Sequence, residues 1–154
     1  LDAYAFSTEG IVGYSIGSKN ITLLRNVIKN SFILSVFTSL LISLLYFSIK
    51  NYFISLMTDL PNIEIISLSY SYWVVIIPLI SSFCYQFDGI FVGASQTKEL
   101  RNAMIISVCI YIISAVYLIS NFGNLGLWIS FSIFFIARAL TLFAYVGRIY
   151  KKIE

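Results

Sequence analysis

Residues 31–49, with the sequence SFILSVFTSLLISLLYFSI, decide the fold of this chain, because they form an apolar stretch without a charged residue. A transmembrane helix needs about 20 mostly apolar residues to cross the hydrocarbon layer of a bilayer. The whole chain has the same character, since 59% of its 154 residues are hydrophobic and 11% are charged. Soluble domains carry about 25% charged residues, and a soluble fold with so few would expose large apolar patches to water. The sequence therefore predicts an integral membrane protein.

Further stretches of this kind predict an all-α fold, a polytopic membrane helical bundle of about five transmembrane helices. The predicted spans cover residues 1–18, 31–49, 69–96, 103–120 and 125–147. The last two are divided at Asn121–Asn124, because Asn and Gly favour turns. The first span is short and starts at Leu1 rather than Met, so we expect it to be the remainder of a helix in a longer protein. It lacks a preceding positive segment and is not expected to be a signal peptide.

The basic residues predict the orientation of the chain, because Lys and Arg collect in cytoplasmic loops. With five alternating spans, one side of the membrane receives eight of them: Lys19, Arg25, Lys29, Lys98, Arg101, Arg148, Lys151 and Lys152. Lys50 alone falls on the other side, and Arg138 lies within the last span. We therefore expect a multi-pass protein of the cell (inner) membrane with its C-terminus in the cytoplasm.

Composition also excludes several classes of function. The sequence has no histidine, which excludes histidine-based catalysis and the commonest transition-metal ligand. Ten basic and seven acidic residues, without a basic stripe, argue against a nucleic-acid partner. Cys84 and Cys109 lie in apolar runs, where a free cysteine usually acts as a small buried hydrophobe. We therefore expect neither an enzyme nor a metal site.

Four charged residues lie within the predicted spans, namely Asp2, Glu9, Asp88 and Arg138. An ionised group at the centre of a bilayer costs about 2.5–3.5 kcal/mol, so each needs a partner or water. Glu9, Asp88 and Arg138 each lie ten residues before a basic residue at the predicted inner end of the same helix. At about 1.5 Å per residue, this spacing predicts that the three share one layer near the middle of the membrane.

Two interpretations of this layer stay open. In the first, Arg138 pairs with Asp88 or Glu9 and only fixes the packing of the helices. In the second, the acid left over binds a proton or a cation, as a carboxylate without a cationic neighbour in low dielectric does readily. Asp2 lies seven residues before Glu9 on the same helix face. Asp2 either forms a second step of a proton or cation relay with Glu9, or contacts water near the membrane surface.

Small residues and one proline predict where helices approach and bend. Gly13 with Gly17, and Gly89 with Gly93, are pairs four residues apart, which let helix backbones approach closely. Pro78 removes a backbone hydrogen bond and is expected to kink or break the third span.

Serines at four-residue spacing on the second span predict a polar seam between helices, more often packing than pathway. They are Ser31, Ser35, Ser39 and Ser43.

Several motifs resemble those of a known transporter family. The pattern Leu1-Asp2-x-Tyr4-Ala5-Phe6-x-x-Glu9-Gly10-x-Val12-Gly13-x-x-Ile16-Gly17 resembles the second helix of the C-terminal bundle of multidrug and toxic compound extrusion (MATE) transporters. The pattern Phe87-Asp88-Gly89-Ile90-Phe91-Val92-Gly93-Ala94, with Lys98-Glu99-x-Arg101-Asn102 after it, is similar to the DNA-damage-inducible protein F branch of that family. So is Gly123-Asn124-x-Gly126-Leu127-Trp128 with the later Arg138-x-x-Thr141-Leu142. The resemblance covers nearly the whole chain and implies part of the C-terminal lobe of a two-bundle transporter.

The resemblance also implies a function. It implies an antiporter that exports organic cations or other amphipathic compounds in exchange for H⁺ or Na⁺ by alternating access, with no cofactor besides the coupling ion. Asp88, Glu9 and Asp2 match acids of the family's helices, and Arg138 is the expected charge partner. The expected partners are the lipid bilayer, the N-terminal bundle that this chain lacks, and cationic or amphipathic small molecules. The alternatives are a lipid-linked saccharide flippase of the same superfamily and a non-transporting membrane subunit or fragment.

Overall fold

The computed structural model describes residues 1–150, so the predicted inner-face residues Lys151 and Lys152 lie outside the described residues. Its helices are α1 (Asp2–Gly17), α2 (Ile21–Met57), α3 (Pro61–Gly93), α4 (Thr97–Phe122), α5 (Asn124–Tyr145) and the short α6 (Gly147–Tyr150). Residues 1–150 contain no β-strand. The prediction of an all-α bundle is confirmed.

Burial in this bundle is the reverse of that in a soluble protein. Large apolar side chains point outward, as Leu45 and Ile113 do with 63% and 71% of their surface exposed. The buried positions are rich in small polar residues, among them Ser15, Ser35, Ser39, Ser43, Ser82, Ser107 and Ser130. An apolar exterior around a small-residue interior suits lipid as the surrounding solvent.

Four helical segments are long and apolar enough to cross a membrane. They are α2, α3, α4 and the run from Asn124 to Tyr150 that joins α5 and α6. Helix α1 has 16 residues and is not one of them. The apolar exterior and these helices make the chain a multi-pass membrane protein.

The helices begin and end differently from the predicted spans. Helix α2 starts at Ile21, where the Asn20 side chain accepts a hydrogen bond from the backbone N–H of Leu23, so Arg25 and Lys29 are helical rather than in a loop. Helix α3 ends at Gly93 instead of residue 96, because Ser95 has a positive φ of 53°. Helix α2 thus extends past its apolar stretch into polar sequence, whereas α3 stops short of its predicted end.

A single residue makes the last predicted turn. Gly123, with a φ of 56°, is the only residue between α4 and α5. Glycine adopts this left-handed conformation without a steric cost, which explains why a turn forms here. The two helices therefore form a tight antiparallel hairpin, and a Cβ at Gly126 would lie 2.7 Å from the backbone nitrogen of Ile119.

Helix α3 lies at the centre of the bundle, in contact with α1, α2, α4 and α5. Helix α1 runs parallel to it, since Ala5 lies against Gly89 and Glu9 lies against Gly93. Helix α2 runs antiparallel to it, as expected for neighbours joined by the short turn before Pro61.

Aromatic contacts show that α5 also runs parallel to α3. The Trp73 and Trp128 rings stack with their centroids 6.5 Å apart near the N-terminal ends of the two helices. The Phe87 and Phe143 rings meet at 6.2 Å near the C-terminal ends. Helices α1, α3 and α5 therefore end on the same side of the bundle.

That side is closed by an apolar core. Val12, Leu24, Phe91, Leu142 and Ile149 pack together there, each with none of its surface exposed. The polar rim above them includes an ion pair of 2.8 Å between Arg148 of α6 and Glu99 of α4. This ion pair links the C-terminal end of the α5–α6 run to the N-terminal end of α4.

Candidate functional site

The parallel arrangement of α3 and α5 brings Asp88 and Arg138 together. The Arg138 Nε and Nη2 groups donate hydrogen bonds to Asp88 Oδ1, at 3.2 and 3.0 Å. The Asp88 side chain is 24% exposed and the Arg138 side chain is 14% exposed, so the pair is largely but not fully buried. The remaining guanidinium nitrogen, Nη1, contacts the sulfur of Met104 on α4. One arginine therefore links three membrane helices.

Among the described residues, the second oxygen of Asp88 accepts no hydrogen bond from Arg138. Asp88 Oδ2 lies 4.0 Å from the thiol of Cys84, one helical turn earlier on α3. Asp2 at the start of α1 is within electrostatic range of Asp88. Tyr85 is within range of all three charged groups, and its ring lies 6.3 Å from that of Phe135. With two carboxylates and one guanidinium, this Asp2–Asp88–Arg138 cluster carries a net charge of −1.

The structure places Glu9 away from this cluster. Glu9 packs against Gly93, five residues beyond Asp88 along a parallel helix, which is about 7.5 Å nearer the closed end of the bundle. Its side chain is half-buried, and in the part of the chain that the structure describes it has no ion pair. The expected single layer thus holds Asp88 and Arg138 but not Glu9, and the acid within electrostatic range of the pair is the exposed Asp2, which has no ion pair among the described residues.

Glycines set the distance between α1 and α3. A Cβ at Gly89 would lie 2.8 Å from the carbonyl carbon of Ala5, and one at Gly93 would lie 3.0 Å from the carbonyl carbon of Glu9. A Cβ at Gly13 would lie 3.4 Å from the Gly93 carbonyl oxygen, which is a close contact. These glycines therefore bring the two backbones into contact directly beside Asp88.

Gly17 takes no part in the α1–α3 contact, and its packing role stays a prediction. A Cβ at Gly17 would meet no atom within 4 Å. The physical reason is its position, since Gly17 is the exposed last residue of α1, where the chain leaves the helix interface.

Pro78 lies within a continuous helix, so the predicted break does not occur. The ring removes the N–H that would bond to the carbonyl of Val74. Ser43 of α2 donates a hydrogen bond of 2.7 Å to the next carbonyl, that of Val75. The serine seam on α2 therefore serves helix packing here, with Ser35, Ser39 and Ser43 buried against the neighbouring helices.

Two contributors to this region, Gln86 and Met104, were not predicted from the sequence. Gln86 is fully buried and contacts the Thr8 hydroxyl at 3.1 Å, which joins α1 to α3 two residues before Asp88. Its Nε2 atom has no hydrogen-bond partner among the described residues. The sequence did offer a signal for Gln86, because a polar amide side chain is unusual within an apolar span. Met104 gave no such signal, because its role depends on which helices meet.

The cavities of the bundle do not enclose the charged cluster. One of about 500 Å³ lies at the opposite end from the closed core, lined by residues that include Tyr46, Tyr70 and Trp128. Another of about 590 Å³ is lined by apolar side chains of α2, α3 and α5. Neither is lined by a charged residue. The Asp2–Asp88–Arg138 cluster therefore lies outside both of these cavities.

A comparison of the sequence with known protein families gives a match. The sequence model of the MatE family matches residues 3–119, which include most of α1 to α4. The chain belongs to the MatE family. Glu9 and Asp88 lie in the matched region, whereas Asp2 and Arg138 lie outside it. The resemblance of the sequence motifs to this family is confirmed.

One curated relative is the DNA damage-inducible protein F of Escherichia coli (strain K12). It is 31% identical over 144 residues, a match that covers 94% of this MatE-family chain and 31% of the relative. The chain thus spans about a third of the length of the relative. No solved structure matches the chain.

Proposed function

We propose that this chain is part of a secondary active transporter of the cell (inner) membrane that exports organic cations or other amphipathic compounds in exchange for H⁺ or Na⁺. Asp88 is its main cation- or proton-binding group, with Asp2 and Glu9 as further acids on the path. The N-terminal bundle implied by the family resemblance would supply the other half of the substrate path. Alternating access then moves the site between the two sides of the membrane.

The observation that carries this proposal is the excess of negative charge beside the Asp88–Arg138 pair. A pair needed only for packing requires one acid, and each additional charge at membrane depth costs about 2.5–3.5 kcal/mol. Asp2 is nevertheless within range of Asp88. A cationic ligand or a proton would bring the net charge of the Asp2–Asp88–Arg138 cluster to zero.

The degree of burial suits a site that exchanges ligands. Asp88 keeps 24% of its side-chain surface exposed, so its carboxylate is not sealed inside the bundle. It lies on α3, which contacts four other helices, and movement of α3 against α5 would change its surroundings. A site on the central helix can therefore couple ligand binding to helix rearrangement.

Two alternatives make different demands on the charges. A flippase for lipid-linked saccharides, which carry phosphate, would need several basic groups along its path, whereas Arg138 is the one basic residue within the predicted spans. A non-transporting subunit would use Asp88 and Arg138 only to hold α3 against α5. Transport measurements separate these alternatives from the proposal.

The experiment uses a chimera in which this chain replaces the matching segment of the E. coli relative. In proteoliposomes, tetraphenylphosphonium movement is followed under an imposed pH or Na⁺ gradient. We expect Asp88→Asn to lower the rate about tenfold or more, because the carboxylate that binds the cation is lost. Glu9→Gln is expected to have a smaller effect, since Glu9 lies outside the charged cluster.

Asp59→Asn is the matched control, because Asp59 is exposed in the turn before α3. It should leave the rate within about twofold. The variant Asp88→Asn with Arg138→Gln guards against misfolding by an unpaired arginine. Unchanged transport in folded Asp88→Asn with Glu9→Gln would contradict the proposal.

A further inference from the structure

We propose that Arg138 is a tethered competitor for Asp88, which an organic cation must displace in order to bind. This inference rests on the proposed function and adds a specificity-determining residue to its site. In the conformation described here, the Arg138 guanidinium is hydrogen-bonded to the Asp88 carboxylate, which the ligand also needs. Binding is then an exchange of one cation for another at Asp88.

The hydrogen bonds show how the competitor is held. Arg138 directs both Nε and Nη2 to the same oxygen, Oδ1, at 3.2 and 3.0 Å. This is not the two-oxygen arrangement in which arginine binds a carboxylate most firmly. In residues 1–150, the one hydrogen-bond contact of Asp88 Oδ2 is the weak contact with the Cys84 thiol at 4.0 Å. The carboxylate therefore keeps one oxygen with which an incoming cation can begin to interact.

The surroundings let the guanidinium move without leaving the charged region. Its third nitrogen rests on Met104, whose unbranched thioether side chain adapts readily to a new neighbour. Asp2 lies about one helical turn before Ala5, whose backbone packs against Gly89, so the second carboxylate is on the part of α1 that packs next to Asp88. Arg138 can therefore shift towards Asp2 when a ligand takes its place on Asp88.

Charge arithmetic gives the consequence for affinity. The Asp2–Asp88–Arg138 cluster has a net charge of −1, and Arg138→Gln changes it to −2. Removal of a competitor and of a like charge both favour a cationic ligand. A merely structural arginine would behave oppositely, because its loss would disturb α3 and α5 and weaken any binding.

The test measures tetraphenylphosphonium binding to the full chain in lipid nanodiscs by equilibrium dialysis. We expect Arg138→Gln to bind about tenfold more tightly than wild type and Asp88→Asn about tenfold more weakly. Arg138→Lys, which keeps the charge, should stay within about threefold of wild type. Arg148→Gln at the exposed end of the bundle is the control and should have no effect.

The possible results separate the two proposals. Asp88-dependent binding that Arg138→Gln leaves equal or weaker overturns the competitor role but not the proposed function. Absence of saturable binding in wild type and Arg138→Gln overturns both.

A second measurement uses the wild type and does not depend on the stability of a variant. The chain is labelled with ¹⁵N-arginine, and the Arg138 Nε–H signal is identified by its loss in Arg138→Lys. We expect saturating tetraphenylphosphonium to shift this signal and to increase its exchange with water, because the hydrogen bond to Asp88 is released. A signal that stays unchanged at saturation would overturn the inference.

Discussion

At the scale of single residues, Gly89 determines how closely α1 packs against α3 beside Asp88. Its missing side chain lets the Ala5 backbone lie against α3, next to Asp88. Close backbone approach of this kind permits weak Cα–H···O contacts and extensive van der Waals packing between membrane helices. The position of α1, and with it that of Asp2, therefore depends on Gly89, which has no side chain.

Gly89→Ala is expected to destabilise the chain by about 1–3 kcal/mol, because the added methyl overlaps backbone that cannot rotate away. The measurement is SDS-driven unfolding in mixed micelles, followed by helical circular dichroism. Gly17→Ala is the matched control, since a Cβ there meets nothing within 4 Å. A Gly89→Ala variant as stable as Gly17→Ala would show that the α1–α3 contact is looser than described.

At the scale of helices, α3 is continuous although Pro78 removes one of its backbone hydrogen bonds. Pro78 leaves the Val74 carbonyl without its usual donor, and the helix nevertheless continues to Gly93. Ser43 from α2 bonds to the neighbouring Val75 carbonyl. Such an interhelical bond supports the weakened turn from outside the helix. Pro78 lies ten residues from Asp88, or about 15 Å.

Ser43→Ala is expected to lower the stability by about 0.6–1.7 kcal/mol, the usual range for a hydrogen bond between membrane helices. Ser48→Ala is the control on the same helix, because the exposed Ser48 hydroxyl bonds only to the Leu44 carbonyl of its own helix. Both variants can be compared by the same SDS titration. Equal stability of the two would indicate that the Val75 carbonyl needs no partner from α2.

At the scale of the whole molecule, the two ends of the bundle differ. The end at which α1, α3 and α5 finish is closed by the core around Phe91 and Ile149, and the basic residues of the described chain collect near it. The other end holds Lys50, whose amine lies 3.8 Å from the centre of the Tyr72 ring. We expect the closed end to face the cytoplasm, in accordance with the distribution of Lys and Arg.

Cysteine labelling in cells tests this orientation. In a background with Cys84→Ala and Cys109→Ala, a membrane-impermeant maleimide should label Asp59→Cys in intact cells. Lys98→Cys, at the closed end, should react only after the membrane is disrupted. Both positions are exposed, so reactivity reports the side of the membrane rather than burial. The reverse pattern would contradict the predicted orientation.

The charged cluster shows how far sequence reasoning reached and where it stopped. Spacing along a helix gives depth to within about a turn, which located Asp88 and Arg138 at similar depth. It did not give the offset between α1 and α3, which depends on where Gly89 and Gly93 contact the other backbone. Glu9 was therefore expected beside Asp88, whereas the structure puts Asp2 within its range.

The sequence by itself determined the solvent, the helical class and the family of this protein, because these depend on composition, on the length of charge-free stretches and on local motifs. Only the tertiary structure decided which acid meets Arg138, which glycines are in contact, and that Met104 and Gln86 border the region. Those facts depend on the rotation and offset of packed helices. Many weak contacts distributed over the whole bundle set these quantities, and no single stretch of sequence contains them.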